Sequence, residues 1–382
     1  MKRLVAMALL VGLAGVPVPA TAVDADRATT AWRGLDVPYV QVGEQRDYRR
    51  VKLRFHGTRV TYFDHFRDGL FSVAASADSA IAMKWQYGGE GEQVEGPLVE
   101  IAADGTVGRV EKHALGIPLA DPNGHTAFWT RREKRRTRLV AYDTATHTKV
   151  LGPLVGKGSR VFAVDGDRAY LLGGELFEDE SSTSSWQAGE TTLTAVPLPP
   201  SSDPDEGPRI LTDVSEGRVL SLDWEEGPAL LSDLEGNVLK ELPPYVGYGT
   251  FSPDGRYVAY TTETRVKVLD VDTGSGVALG MSKKRTSLDY RWTPDGRLVL
   301  NVVKRDVWGS YDDAEVVRRY VCTLPAGSCE RLPGRSSLFL EQMVESSAMG
   351  QLITFFIMIG SRLGHAPAQA PSKAPEGYLR QR

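Results

Sequence analysis

Cysteine and histidine are scarce in this sequence, and their scarcity limits the chemistry it can support. Only two cysteines and six histidines occur among 382 residues. The histidines, at positions 56, 65, 113, 125, 147 and 365, show no spacing typical of metal ligands. His125 and His147 fall at predicted turns, where solvated structural roles are commoner. We therefore predict no metal site and no bound cofactor.

Recognisable catalytic motifs are also missing. The sequence has no Gly-x-Ser-x-Gly nucleophile motif and no Ser-x-Asp-x-Gly-x-x-Trp box of the sialidase type. We predict no catalytic residue, although scattered acids around a central channel would escape a motif search. The formal net charge of −4 argues against a general nucleic-acid binder, which would be strongly basic.

No apolar run is long enough to span a bilayer. The segment from Leu4 to Val16 is apolar but falls short of the roughly 20 residues of a spanning helix. It follows two basic residues and precedes Ala20-Thr21-Ala22, which is the layout of a signal peptide. We predict that residues 1–22 direct export and that the mature chain starts near Val23. The protein would then be secreted, periplasmic or associated with the cell wall.

The two cysteines, Cys322 and Cys329, lie close together in the sequence. In an exported protein, an even pair at this spacing predicts a disulfide. Pro325, Ala326 and Gly327 lie between them and predict a turn. That turn would set the two cysteines on adjacent antiparallel strands.

Glycine (39) and proline (22) are frequent, and they mark an internal repeat. Phe251-Ser-Pro-Asp-Gly and Trp292-Thr-Pro-Asp-Gly each precede an alternating strand. In such a turn proline fixes the first corner, aspartate bonds back to its own backbone and glycine takes the positive φ. Looser copies bring the turns to six, at positions 78, 123, 165, 216, 254 and 295.

Each repeat unit reads as four strands, a to d. The a–b turn is tight, the b–c loop is variable, and the c–d turn is short, as in the segment 265–279. Four strands in a period of about 40–45 residues are typical of a propeller blade. We predict an all-β fold, a β-propeller of six or seven four-stranded blades.

The Pro-Asp-Gly units resemble the WD40-like repeats of TolB-type propellers and of the propeller halves of prolyl-oligopeptidase-like enzymes. Two units match closely and four loosely, over residues 67–334. The resemblance implies the propeller of an exported bacterial protein, but no particular function, because the motif encodes a turn. TolB itself has an additional N-terminal domain, for which residues 23–66 are too few.

The two ends of the predicted propeller are less regular. Residues 23–66 contain strands that either close the ring against the last blade or share a seventh blade with the C-terminal chain. Residues 335–382 are predicted to hold a closing strand and a disordered tail. The apolar segment 352–359 is the predicted closing strand, with a short helix or an exposed docking segment as alternatives.

Binding is expected on the side of the disc that carries the b–c loops, because these loops vary most in length. Three tryptophans end their b strands and two lie within predicted b–c loops. Exposed Trp and Tyr are typical binding anchors, whereas the strand-end tryptophans alternatively pack between blades. The candidate binding residues are Trp85, Trp129, Trp186, Trp224, Trp308 and Tyr311.

Charge is segregated over the same loops. Six basic residues crowd positions 131–138, and four acidic residues lie in the next b–c loop at positions 175–180. This pattern fits a charged partner, or two solvated loops that attract each other.

These features predict an exported, monomeric, non-catalytic propeller that binds a protein or a cell-envelope polymer through its b–c loops. Neither a nucleic acid nor a stable membrane span is expected. The alternative is a propeller enzyme of lactonase or glycan-hydrolase type with its site in the central channel. A sensor or scaffold ring without a partner site of its own is a third hypothesis.

Overall fold

The computed structural model of the chain describes residues 39–45, 48–55, 58–65, 69–86, 95–102, 106–121, 123–134, 136–156, 158–173, 182–202, 209–223, 228–243, 246, 249–262, 265–281, 285–293, 295–304, 318–332 and 341–343. The regular elements in these segments are β-strands, which agrees with the predicted all-β class. The predicted signal peptide and the apolar segment 352–359 lie outside the described residues.

The strands are numbered in chain order, and their bounds are as follows. They are β1 Tyr39–Gln45, β2 Tyr48–Phe55, β3 Thr58–His65, β4 Gly69–Ala75, β5 Ser79–Gln86, β6 Glu95–Ala102, β7 Val107–Ala120, β8 Thr126–Glu133, β9 Arg136–Asp143, β10 Thr148–Val155, β11 Arg160–Asp165, β12 Arg168–Gly173, β13 Ser182–Gln187, β14 Thr194–Ala195, β15 Ile210–Ser215, β16 Arg218–Leu222, β17 Ala229–Asp233, β18 Val238–Leu242, β19 Thr250–Phe251, β20 Tyr257–Thr262, β21 Arg265–Asp270, β22 Gly276–Val277, β23 Arg285–Trp292, β24 Leu298–Lys304, β25 Arg318–Thr323, β26 Ser328–Arg331 and β27 Glu341–Met343.

The strands pair into antiparallel sheets of four, the predicted propeller blades. β11–β14, β15–β18, β19–β22 and β23–β26 form blades 3 to 6. Blades 1 and 2 are one continuous sheet of seven strands, β4 to β10. Its long strand β7 pairs first with β6 and then, over residues 114–120, with β8. β7 is therefore the outer strand of blade 1 and the inner strand of blade 2.

The N-terminal strands form a further sheet with the C-terminal strand β27, in the order β27-β1-β2-β3. Tyr39 of β1 pairs with Met343 of β27. The described strands therefore make seven four-stranded blades, which settles the predicted choice between six and seven. First strands of successive blades lie in contact, β7 with β11, β11 with β15 and β15 with β19, which is the inner ring of a propeller.

The core lies between the blades. In blade 3, four consecutive residues of β11 and four of β12 are buried, and all six residues of β15 in blade 4 are buried. Continuous burial of this kind, without alternation, is expected for a strand whose two faces both pack against a neighbouring sheet. One apolar cluster runs from Phe128 in blade 2 through Phe162 and Tyr170 to Val219 in blade 4.

The Pro-Asp-Gly turns have the predicted chemistry and one added feature. Asp254 accepts a hydrogen bond from the Arg256 backbone N–H at 3.2 Å, and Gly255 takes a φ of +62°. The residue before proline closes the turn: the hydroxyl of Ser252 accepts from the Tyr257 N–H at 2.9 Å. Thr293 plays the same part in the second close repeat. A hydroxyl at this position therefore closes the turn in both close repeats.

The predicted disulfide is present. Cys322 and Cys329 are direct cross-strand partners on β25 and β26, joined by an S–S bond of 2.04 Å. The turn that contains Gly327 connects the two strands, as predicted. A disulfide fits an oxidising compartment.

Candidate binding face

The antiparallel order of the blades gives the disc two different sides. All a–b and c–d turns emerge at one side, which we call the turn face. The b–c loops and the connections from one blade to the next emerge at the other side, which we call the loop face. The a–b turns are short; in blade 4, for example, Glu216 and Gly217 form a two-residue turn with φ values of +49° and +73°.

On the turn face, successive blades are tied together by hydrogen bonds. A backbone N–H in a turn (Ala77, Gly166 and Gly217) or in a neighbouring extended segment (Phe251 and Gly280) meets a carboxylate or a carbonyl of the neighbouring blade. The bonds are Ala77 N to Gly124 O (2.8 Å), Gly166 N to Asp121 Oδ2 (3.2 Å), Gly217 N to Asp165 Oδ2 (3.5 Å), Phe251 N to Asp213 Oδ2 (2.7 Å) and Gly280 N to Gly327 O (2.7 Å). These turns therefore hold the ring together.

Two histidine–carboxylate contacts cross the junction between blades 1 and 2. His125 Nδ1 lies 2.5 Å from Asp78 Oδ2, and His147 Nδ1 lies 3.1 Å from Glu100 Oε2. Tyr142 also donates to Glu100, at 2.6 Å. The hydrogen bond that the His125 imidazole donates to the Asp78 carboxylate raises the pKa of His125. Both histidines lie at turns and are exposed, as predicted, but each pairs with a carboxylate of the neighbouring blade.

Asp78→Asn is expected to lower the pKa of His125 towards the ordinary value of about 6.5. A histidine whose folded-state pKa is raised contributes stability that is fully present below the unfolded pKa and is lost as pH rises through the folded pKa. The stability difference between wild type and variant should therefore be present in mildly acidic buffer and vanish at alkaline pH. An NMR titration of the imidazole, with chemical denaturation at each pH, measures both effects.

The matched control for this prediction is Asp167→Asn, an exposed aspartate on the same face. It should leave the His125 titration unchanged. An unchanged His125 pKa in the Asp78 variant would contradict the contact.

On the loop face, the predicted basic loop of blade 2 is a tight hairpin, which we call the basic hairpin (residues 131–138). Glu133 pairs with Arg136, so that only two residues separate the paired strands, and the first of them, Lys134, takes a φ of +57°. Arg131 and Arg138 lie directly opposite each other on β8 and β9. The predicted loop is therefore mostly strand.

Carboxylates bind the arginines on the two strands of the basic hairpin. Glu133 accepts from Nε and Nη2 of Arg138, and this bonding lowers the pKa of Glu133. Arg138 also donates to the Gly152 carbonyl at 2.8 Å. Arg132 lies 3.2 Å from Glu95 and Arg131 lies 3.8 Å from Glu111, both in blade 1. The acidic loop at 175–180, the predicted counterpart, lies outside the described residues.

A buried ion pair lies below the loop face of blade 4. Arg209 donates to Asp223 at 3.0 Å, and both side chains are at most 2% exposed. Ser201 and Ser202 also donate to Asp223, and Arg209 reaches the carbonyl of Pro228 at 2.9 Å. Burial would raise the pKa of Asp223, but the serine hydrogen bonds and the Arg209 charge hold it below its usual range. The ion pair links the chain segment before β15 to the start of the loop between β16 and β17.

Two of the predicted binding tryptophans lie in the core. Trp186 was expected in a loop, but it belongs to β13 and is fully buried. Its ring meets Phe128 edge to face, and its indole N–H donates to the Glu190 carbonyl at 2.9 Å. Trp129 is also fully buried, beside Tyr142. We assign both to packing between blades, the alternative that the sequence left open for Trp129.

The other candidate residues keep their status as predictions. Trp85 ends strand β5, but its side chain lies outside the described residues, as do Trp224, Trp308 and Tyr311 entirely. Sequence reasoning missed Arg209 and Asp223, because no pattern marks a pair that forms between a linker and a loop. It also missed Glu95 and Glu111, which are distant in sequence from the basic residues that they contact.

The described segments contain neither a cluster of potential metal ligands nor an apolar helix of spanning length. Within them, no group of three or more His, Cys, Asp or Glu side chains is placed to hold a metal ion. No helix among the same residues is long and apolar enough to cross a bilayer.

No family model and no curated protein matches the chain, whereas solved structures do. A prolyl endopeptidase is similar over 83% of this chain and 53% of its own, with 10% identity and a TM-score of 0.48. The β-propeller domain of the trilobed protease from Pyrococcus furiosus is similar over 71% of this chain and 85% of its own (11% identity, TM-score 0.46). A putative 6-phosphogluconolactonase from Bacteroides uniformis is similar over 82% and 98% (13% identity, TM-score 0.45).

These likenesses are too distant to carry a function. The chain spans about half the length of the prolyl endopeptidase that it matches. The assignment of the propeller rests on the strand order and the contacts between blades.

Proposed function

We propose that this protein is an exported, non-catalytic β-propeller of the TolB-like, WD40-like type. In this proposal it acts as a monomer and binds a protein or a cell-envelope polymer through its loop face. Binding at the loop face is reversible.

The proposal rests on a difference in loop length and in hydrogen bonding between the two faces of the disc. The turn face consists of short turns whose N–H groups, carboxylates and carbonyls already bond to neighbouring blades. A partner would have to compete with those bonds. The loop face has longer and unequal connections in the sequence, and its basic hairpin ends in exposed charges. Loops of unequal length on a rigid scaffold are where proteins usually place recognition.

Two observations support export. The first 22 residues have the pattern of a signal peptide. The Cys322–Cys329 disulfide fits an oxidising compartment outside the cytoplasm.

Photo-crosslinking from defined positions tests the binding face. A photoreactive amino acid at position 308 or 311, within a predicted loop-face connection, should trap a partner on the surface of the cells that make the protein. The same amino acid at Glu235, at an exposed turn of blade 4, should not. Trp308→Ala should weaken capture by about thirtyfold, because an anchor of this type contributes about 2 kcal/mol.

The controls separate binding from folding. Trp308→Ala should leave the midpoint of chemical unfolding unchanged, and Glu235→Ala should change neither unfolding nor capture. Trapping from Glu235 alone would show that the binding face is wrongly assigned. No trapping from either face would overturn the binding role and favour the enzyme alternative.

A further inference from the structure

We infer that the basic hairpin recognises a cell-envelope polymer, a linear polyanion whose repeating groups are phosphates. This inference rests on the proposed function, since it names the class of partner that the loop face binds.

Positive charge is concentrated in the basic hairpin. The eight residues 131–138 include six basic residues and one acidic residue, while the whole chain has a formal net charge of −4. Like charges directly opposite each other on a sheet are destabilising, yet Arg131 and Arg138 occupy such a pair. The fold offsets this repulsion with Glu133 and with Glu111 of blade 1. The hairpin therefore keeps its positive charge although the repulsion between Arg131 and Arg138 lowers its stability.

The basic hairpin is also ordered before a ligand binds. Arg138 and Arg132 are held by carboxylates and by the Gly152 carbonyl, so their positions are fixed before any ligand arrives. Lys134 and Arg136 at the tip are exposed, and no ion pair joins either of them to another described residue. The hairpin therefore presents exposed cations on a backbone that is already ordered, and less loop entropy is lost on binding than for a mobile loop.

The chemistry of the hairpin selects the class of partner. Residues 131–138 contain no apolar or aromatic side chain. A protein partner of ordinary affinity would be bound through aromatic anchors. Binding to a membrane surface would need apolar side chains in addition to positive charge. A polyanion needs only a row of cations, because the release of its condensed counterions supplies the binding free energy.

Phosphate is favoured over carboxylate by competition. Glu95, Glu111 and Glu133 are tethered beside the same arginines, so an incoming carboxylate offers nothing that the hairpin lacks. Arginine is the usual residue for phosphate recognition, because its planar guanidinium keeps its charge and binds two phosphate oxygens through parallel hydrogen bonds. Five of the six basic residues in the hairpin are arginines.

Binding of long-chain inorganic polyphosphate to the mature protein, measured by calorimetry across a salt series, tests the inference. We expect binding that weakens linearly in log K against log salt concentration. The double variant Lys134→Asn/Arg136→Gln should bind about tenfold more weakly at low salt, with a slope shallower by about 1.5, because two phosphate contacts are lost. Asparagine is chosen at position 134 because it tolerates the positive φ there.

A matched control removes the same charge elsewhere. Lys267→Gln/Arg331→Gln, at two exposed positions of blades 5 and 6, should bind polyphosphate as wild type does. Equal weakening in both double variants would show that only net charge matters and would overturn the hairpin site. Wild-type binding by the Lys134/Arg136 variant would overturn it as well.

Other ligands define the class. Orthophosphate should compete poorly, because it cannot engage several cations at once. Equal affinity for poly-γ-glutamate would overturn the choice of phosphate, and tighter binding to anionic lipid vesicles would overturn the choice of a polymer. If polyphosphate fails to bind while crosslinks from position 308 persist, this inference is wrong and the proposed function stands. If the crosslinks fail too, both are wrong.

Discussion

Replacing Trp186 with alanine is expected to lower the free energy of unfolding by about 3–5 kcal/mol. The indole is fully buried in the cluster that joins blades 2, 3 and 4. Its removal leaves a cavity against Phe128 and frees the Glu190 carbonyl that its N–H now satisfies. Equilibrium unfolding in urea, followed by fluorescence of the remaining tryptophans, measures the loss.

A substitution at Gly152 tests whether packing against the Trp186 ring is responsible for the loss of stability. A Cβ added at Gly152 of β10 would lie 2.6 Å from Cζ2 of Trp186, so Gly152→Ala should destabilise the wild-type protein. In the Trp186→Ala background the same change should cost little, because the clash is gone. Leu151→Ala, at a half-exposed neighbour of Gly152, should change stability by no more than about 0.5 kcal/mol. An unchanged unfolding midpoint for Trp186→Ala would contradict the buried placement.

Breaking the buried ion pair is expected to be as damaging. Arg209→Ala should cost about 3–5 kcal/mol, because it leaves the carboxylate of Asp223 buried with its main counter-charge removed. Asp223→Ala should cost a similar amount, since it strands the guanidinium and removes the acceptor of Ser201 and Ser202. Chemical denaturation of the two single variants measures both values.

Two controls identify the origin of this loss. Glu95→Ala breaks the exposed pair with Arg132 and should cost no more than about 1 kcal/mol. Replacing Arg209 and Asp223 together by leucine and alanine should be less harmful than either single change, because no charge is then buried alone. Equal costs at the buried and the exposed pair would contradict the burial of Arg209.

The ion pair should also be sensitive to acid. The pKa of Asp223 is held below its usual range, so its contribution is present above the unfolded value of about 3.9. That contribution is lost as pH falls through the lower, folded-state pKa. The stability gap between wild type and Asp223→Asn should therefore close in strong acid.

The fold could be predicted from the sequence because a local motif encodes it. The turn at Asp254 is specified by five neighbouring residues, and its repetition at a regular interval specifies a ring of blades. The number of blades was harder to predict from the sequence. It depends on the pairing of β1 with β27, and no local signal links residues so far apart in the chain. The closing strand lies at Glu341–Met343, a segment without the apolar character that drew attention to residues 352–359.

The site was harder to predict, because exposure is a property of the assembled ring. A tryptophan at a strand end has the same sequence signature whether it packs between blades or faces solvent, and Trp186 shows the first outcome. Charge could be read from the sequence, but the partners of the charges could not. The contacts of Glu95 and Glu111 of blade 1 with the basic hairpin were not foreseen, and the acidic loop of blade 3, which the sequence suggested as its counterpart, stays a prediction.

The sheet that combines both ends of the chain constrains how the protein is made. Strands β1 to β3 are the first of the described strands to be synthesised, but their inner edge is paired only when Glu341–Met343 arrives. Until then blade 7 is incomplete, with the backbone groups of β1 open to other strands. Contacts between such distant residues form late and slowly. Blade 7 is therefore completed only after Glu341–Met343 has been synthesised, and a product truncated before that strand would leave the inner edge of β1 unpaired.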